Sequence, residues 1–353
     1  MTTRFKVLML GYQRVGKTSL LASMYKATQD ELAENYRFQI RSGDDKTSEF
    51  LSSAEDKLAS ATEFLVNDTV APSDMWRTFL FDIVSEGKTV LQLDFLDYRG
   101  GKLRDQSSED AIKVREWLQA CIAIVIPVDA PSLMESSGEW VDLNDKWNNP
   151  SGIEKILRAE QNRDAPRLVI FSPVKCEKYI QEGRGEELRR KLETVYSGIL
   201  NYLRGEADLR GGAKRSKNCV VIVPVQTIGG ARFSAFEKQE DGTVQARFVN
   251  PSQKYDPKDG DQLLRYIARF ALARIAEENL IRVDELTGQI IDDLGWCPDM
   301  EYAESNEAKK NARSERLKMV VLLRSGLQLF AQGCKKDGIF RILLGGSLLD
   351  IGR

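Results

Sequence analysis

Residues Gly11-Tyr12-Gln13-Arg14-Val15-Gly16-Lys17-Thr18 meet the pattern G-x-x-x-x-G-K-[ST] at every fixed position. This run constrains the fold more than any other, because its surroundings fit as well. Ahead of it, Phe5 to Leu10 is nearly continuous apolar sequence, as expected of a strand buried on both faces of a parallel sheet. Behind it, Thr18 to about Gln29 has helical periodicity. A strand, a glycine-rich turn and a helix in that order turn successive N–H groups toward a polyphosphate. Those groups run from Gly11 through Arg14, Val15, Gly16, Lys17 and Thr18 to Ser19. Lys17 would reach the β- and γ-phosphates, and the Thr18 hydroxyl would take a magnesium position. The alternative is a glycine turn that matches by chance; the flanking strand and helix argue against it.

The rest of the chain predicts an α/β fold. Tyr36 to Arg41 alternates like a strand, and Thr47 to Phe64 has helical spacing. Thr78–Val84 and Thr89–Leu96 flank a glycine-bearing turn and read as a hairpin. Cys121–Val128, Arg167–Phe171 and Cys219–Val225 are strands, with helices over Gly152–Glu160 and Glu186–Leu203 between them. Strands alternating with helices predict a three-layer α/β/α sandwich of the P-loop NTPase kind. Its sheet should be mostly parallel, with one antiparallel edge strand from the hairpin. Gly229–Gly260 reads as an irregular excursion, Asp261–Leu280 as an amphipathic helix and Arg316–Phe330 as another. The expected division is a nucleotide-binding domain over 1–280, with an insertion at about 30–75, and a helical extension over 281–353 that offers a partner-binding element.

Composition narrows the chemistry. With 51 basic and 53 acidic residues the formal charge is -2, which gives no general nucleic-acid signal. The 353 residues include no histidine, so a histidine general base and the usual histidine-containing zinc sets are excluded. The five cysteines lie far apart with no CxxC, which suits free thiols in a reducing compartment. No apolar run approaches the ~20 residues that cross a bilayer. The start of the sequence runs straight into a strand, so the expected location is cytoplasmic.

Three further elements carry candidate chemistry. Asp94-Phe95-Leu96-Asp97-Tyr98-Arg99-Gly100 ends the second hairpin strand. A carboxylate at the C-terminal edge of a parallel sheet points into the crevice where ligands of such sheets lie. Asp97 would hold magnesium, in part through water, and the Gly100 N–H would sense the γ-phosphate. Asp94 reads as structural or solvated, and the whole run as a plain turn is the alternative. Val174-Lys175-Cys176-Glu177 follows a strand: Glu177 would accept from the guanine N1–H and exocyclic amine while the Lys175 stem packs along the base. A charged turn looks similar. After the last strand, Gln226-Thr227-Ile228-Gly229 would set the Thr227 N–H against the base oxygen, or simply end the strand.

With those four elements in one order, the chain resembles the Ras-like, translation-factor class of P-loop GTPases. Within that class it is similar to the bacterial double-GTPase group, whose members are implicated in conflict or signalling systems. The resemblance covers roughly residues 4–280. It rests on GYQRVGKTS at 11–19, DFLDYRG at 94–100, VKCE at 174–177 and VPVQTIG at 223–229. It implies GTP and GDP as bound nucleotides, with Lys17, Thr18, Asp97 and Gly100 as the phosphate, magnesium and γ-phosphate groups. Lys175 matches the lysine of the Asn-Lys-x-Asp base motif, Glu177 stands at its aspartate and Val174 replaces its asparagine. Gln226-Thr227 departs from the usual Ser-Ala pair. The family's first switch needs a threonine over magnesium; Thr69, in a polar loop before the hairpin, is the candidate, with a solvated turn as the alternative.

The resemblance also implies slow hydrolysis. Where Ras-like chains often carry a water-orienting glutamine after the Asp-x-x-Gly glycine, this one has Gly101. Gln106 and Glu109 are nearby substitutes, and Arg99, Lys102 and Arg104 offer charge; otherwise a protein partner or self-association supplies the missing group. The expected activity is magnesium-dependent GTP hydrolysis in a partner-regulated switch. An ATPase on the same loop and a nucleotide-dependent scaffold that scarcely hydrolyses are the alternatives.

Overall fold

The structure, a computed structural model, describes residues 3–12, 14–35, 38–60, 63–65, 77–85, 87–97, 109–160, 165–205, 217–251, 254–294, 311 and 327–350. It divides into two compact units, Met1–Leu264 with Lys335–Gly346 and Arg265–Cys334 with Ser347–Arg353.

In the first unit the described strands are β1 (Thr3–Met9), β2 (Phe38–Ser42), β3 (Glu63–Leu65), β4 (Arg77–Ser85), β5 (Lys88–Asp97), β6 (Ala123–Asp129), β7 (Arg167–Val174), β8 (Asn218–Ile222), β9 (Arg232–Lys238), β10 (Val244–Val249) and β11 (Arg341–Leu344). The larger sheet runs β11-β8-β7-β6-β1-β5-β4-β2. β1 pairs in parallel with β5 and β6, β6 with β7, and β7 with β8, while β4 and β11 run against them. All of β6 and β7 is buried, as strands inside a three-layer sandwich are, which fits their mainly apolar sequence; Asp129, Arg167 and Ser172 are the buried polar exceptions.

The fold is the expected α/β three-layer sandwich with a mixed, mostly parallel sheet, antiparallel edge strands and C-terminal helices. Helix α1 (Lys17–Asn35) follows β1, and α2 (Asp45–Ala59) packs against it and against β2 and β4. After β5 the strand order reverses across β1, so β6, β7 and β8 lie on the side of β1 opposite β5, with the later helices before and between them in the chain. Those helices are α3 (Glu109–Ala120), α4 (Ala130–Met134), α5 (Leu143–Trp147), α6 (Pro150–Arg158), α7 (Glu177–Gln181), α8 (Gly185–Val195) and α9 (Ser197–Arg204). The carboxyl ends of the strands at such a reversal are where open α/β sheets bind ligands.

Several local expectations need correction. Gly229–Gly260 is not an irregular excursion: β9 and β10 form an antiparallel pair there, and β3 joins β10 in a separate three-stranded sheet. Strict alternation is broken in Arg232–Lys238: Phe233 and Phe236 are three apart, and a bulge in the pairing with β10 brings both buried rings together, with centroids 4.8 Å apart. The helix expected over Thr47–Phe64 ends at Ala59, and Glu63–Leu65 is strand. Asp44 caps α2 by accepting from the Thr47 N–H at 2.7 Å, which starts the helix earlier than apolar spacing suggested. The helix expected over Glu186–Leu203 breaks at Tyr196. Two strands, not one, run against the sheet's majority, because Arg341–Leu344 adds antiparallel to β8.

In the second unit, helix α10 (Gly260–Leu294, whose first residues belong to the first unit) extends beyond the expected Leu280. Of the expected Arg316–Phe330 helix, 316–326 lie outside the described residues, and Leu327–Gln332 is helical (α11). Arg265 donates to the Phe330 carbonyl at 2.7 Å and stacks its guanidinium 4.3 Å from that ring. Among the described residues, no helix is long and apolar enough to cross a membrane.

Candidate functional site

Register brings the chemical residues to one edge of the sheet. Met9 at the end of β1 lies beside Asp97 at the end of β5, and Asp129 at the end of β6 lies beside Val174 at the end of β7. Val174 in turn bridges to Val225 after β8. The turn after β1, the end of β5, the Val174-Lys175-Cys176-Glu177 run and the Gln226–Gly229 loop therefore share the carboxyl edge.

Arg14 to Gly16 turn into α1. Arg14 and Gly16 both have positive φ, 70° and 107°. For Arg14 that conformation costs about 1–2 kcal/mol, a strain typical of sites that aim main-chain groups at a ligand. Val15 is buried under the turn, and Gly16 leaves room for Val174, whose Cγ2 would lie 3.4 Å from a Cβ placed there. Lys17, Thr18 and Ser19 form the first turn of α1.

Lys17 is buried, and its ammonium donates to the carbonyls of Gly11 at 2.9 Å and Tyr12 at 3.0 Å. It stands 3.9 Å from an Asp97 carboxylate oxygen. The Thr18 hydroxyl donates to the other Asp97 oxygen at 3.0 Å. Burial is the dominant influence on both charged groups: it pushes the Lys17 ammonium down and the Asp97 carboxyl up from their ordinary values. Each is partly restored by the other, and Thr18 and Arg77 also hold Asp97 toward its charged form. A lysine, a hydroxyl and a carboxylate thus converge in a place where charge is costly unless it is compensated. Asp94, two residues before the strand's buried Leu96, turns elsewhere and pairs with Arg4.

Lys175 reaches back to the phosphate-loop turn. It has φ 55°, donates to the Arg14 carbonyl at 3.0 Å and forms an ion pair with Asp129. Glu177 is buried, and its carboxylate accepts from the Ile228 N–H at 2.9 Å. Burial pushes its carboxyl up, opposed by main-chain donors that include Ile228 and Gly229. Thr227 is buried one residue earlier, its carbonyl accepting from the Ser23 hydroxyl of α1 at 2.9 Å. Thr69 and Gly100, with Arg99, Gly101, Lys102, Arg104 and Gln106, lie outside the described residues.

Sequence reading missed the group that ties these loops together. Asp129 is fully buried; besides Lys175, its carboxylate accepts from the Ser132 N–H at 2.9 Å and so caps α4. Asn148, also buried, donates to the Asp129 carbonyl at 3.1 Å and accepts from the Asp129 N–H at 2.7 Å. This Asp129–Asn148–Lys175 group links β6, β7 and the phosphate-loop turn. The signal was present: Val128-Asp129-Ala130-Pro131-Ser132 is another strand ending in a carboxylate, followed by a proline in the first turn of a helix.

No family model matches this chain, and no curated protein does. Among solved structures it is similar to the Ski7 GTPase-like domain of S. cerevisiae, bound to GTP, at 15% identity and a TM-score of 0.33. That likeness covers 63% of this chain, which spans 42% of the yeast one.

Proposed function

We propose that this chain binds GTP with magnesium and hydrolyses it slowly to GDP and phosphate, as a switch set by a protein partner or by self-association. The observation that carries the reading is the meeting of Thr18 and Asp97 at 3.0 Å, with Lys17 3.9 Å from the same carboxylate, at the mouth of a glycine turn. A hydroxyl and a carboxylate at that separation fit neighbouring positions around one small hard cation. Among the described residues, no group of three or more His, Cys, Asp or Glu gathers. Magnesium here would draw on Thr18, Asp97, Thr69, water and the phosphates, and when bound it would neutralise charge on the β- and γ-oxygens.

The protein's own groups would orient the triphosphate. Lys17 exchanges the Gly11 and Tyr12 carbonyls for phosphate oxygens, and the N–H groups of Arg14 to Ser19 take the remainder. Lys175 would line the base, with Glu177 and the Thr227 N–H reading its edge, and Gly100 would answer to the γ-phosphate. Gly101 provides no side chain to hold a water in line, so turnover is slow until a partner completes the site. Membership of the bacterial double-GTPase group belongs to the same proposal.

An ATPase reading has one observation in its favour. Glu177 already accepts a main-chain hydrogen bond from Ile228, so its carboxylate is not wholly available to a base.

The test is nucleotide binding with and without magnesium in wild type, Lys17→Ala and Asp97→Asn. The reading expects magnesium-dependent GTP binding that weakens at least about tenfold in Lys17→Ala, since charge-assisted phosphate bonds are lost. Unchanged affinity in both variants would overturn it, and so would GTP turnover of several per second by the isolated monomer.

A further inference from the structure

A cavity of about 440 Å³ borders Gly229, the last residue of the Gln226–Gly229 loop, and its other lining residues belong to no motif singled out in the sequence. Its charged lining is Arg232, Lys254, Lys258 and the single acid Asp256, with Gln181 and Gly229 between them. That volume suits a small molecule rather than a macromolecular face. Three cations against one carboxylate make the lining electropositive in a chain whose net charge is -2, so the excess is local.

The wall is built from paired main chain. Gln226 and Lys258 exchange two hydrogen bonds at 3.0 Å, and the Asp256 N–H donates to the Ile228 carbonyl at 3.2 Å. Gly229 has φ 85°, and a Cβ there would stand 1.8 Å from the Asp256 carbonyl oxygen, so only glycine lets the two segments meet. Gln181 locks the opposite side: its amide nitrogen donates to the Gly229 carbonyl at 3.3 Å, and its oxygen accepts from Arg232 Nε at 2.7 Å. That bond uses Nε, which fixes the guanidinium while its terminal nitrogens remain the natural fork for a phosphate. Arg232 is held by that bond, and the exposed side chains of Lys254 and Lys258 border the same concavity, an arrangement suited to an anion with more than one charge.

We propose that this cavity is a second ligand site, distinct from the phosphate loop, for a small polyanion carrying two phosphate groups. Arg232 grips one phosphate, Lys254 and Lys258 neutralise the other, and Asp256 sets a limit on affinity by repelling both.

The experiment uses the full chain carrying Lys17→Ala, which disables the phosphate loop, titrated with inorganic pyrophosphate by calorimetry without divalent ions. One binding event is expected, weakened at least about tenfold by adding Arg232→Ala and Lys258→Ala, since charge-assisted bonds are lost. Adding Asp256→Asn instead should tighten it, a gain that a folding defect cannot produce. Absence of pyrophosphate binding, or binding that neither change alters, overturns the proposal. Whether Lys17→Ala itself loses GTP is read in the same preparation, so failure of the nucleotide reading is separate from failure of this one.

Discussion

Asp129→Asn should cost this protein about 3 kcal/mol of folding stability, although the substitution barely changes shape. Asparagine still offers an oxygen to the Ser132 N–H, so the cap on α4 survives and the change falls on the ion pair with Lys175. Removing one partner of a buried pair costs about 3–5 kcal/mol, because the other charge is left without compensation. The Asp129 side chain is 0% exposed and that of Lys175 only 13%. Lys175 keeps its bond to the Arg14 carbonyl, which places the cost at the lower end of that range. The decisive variant is the double Asp129→Asn with Lys175→Met. Once neither side chain is charged the penalty has no source, so at least about 2 kcal/mol should return. Urea unfolding at pH 7, followed by tryptophan fluorescence, measures all three variants against wild type. A single-variant loss below about 1 kcal/mol, the value of a surface pair, would refute the reasoning. So would strict additivity of the two single changes.

Other outcomes follow from the same geometry. Burial holds Asp97's folded value above its ordinary 3.8, so the folded chain keeps that proton to higher pH than the unfolded chain. Its contribution to stability is therefore present below 3.8 and lost as pH rises through the folded value. In magnesium-free buffer, the stability of Asp97→Asn relative to wild type should grow over that rise; a gap that narrows would contradict the sign. Gly229→Ala should lose at least about 3 kcal/mol in denaturation, since a main-chain clash and a positive φ act together; wild-type stability would mean the Asp256 contact is not rigid. Glu177→Ala leaves the buried Ile228 N–H without its acceptor and should cost about 1–3 kcal/mol, whereas Glu177→Gln retains an acceptor and should cost less. Equal losses would deny the hydrogen bond its role.

Much of the site's position was legible because period and punctuation agreed. Phe5–Leu10, the glycine turn and the following helix stand in the structure as β1, the turn and α1, and the hairpin that ends in Asp97 lies beside them as β4 and β5. Cys121–Val128 and Arg167–Phe171 were plain because strands buried on both faces need no alternation. What stayed hidden depended on distant partners. Arg341–Leu344 is a strand only because β8 offers an edge some 120 residues earlier in the chain. Arg232–Lys238 was masked by glycines and charges that in fact frame a hairpin. Asp129 stands in a run that matches no phosphate- or base-binding pattern, so its own stretch of sequence does not mark it. Its ion pair with Lys175 depends on the adjacency of β6 and β7, which local sequence does not display.

The central claim is tested most directly by equilibrium binding of GTP, GDP, ATP and ADP side by side with magnesium, in wild type and in Glu177→Ala. The account predicts a preference for the guanine nucleotides that collapses in the variant, with Glu177 and the Thr227 loop as the readers of the base. Equal or tighter binding of the adenine nucleotides, unaffected by the substitution, would contradict it. Glu177 would then be only the clasp for Ile228, and ATP would be the nucleotide of the phosphate loop.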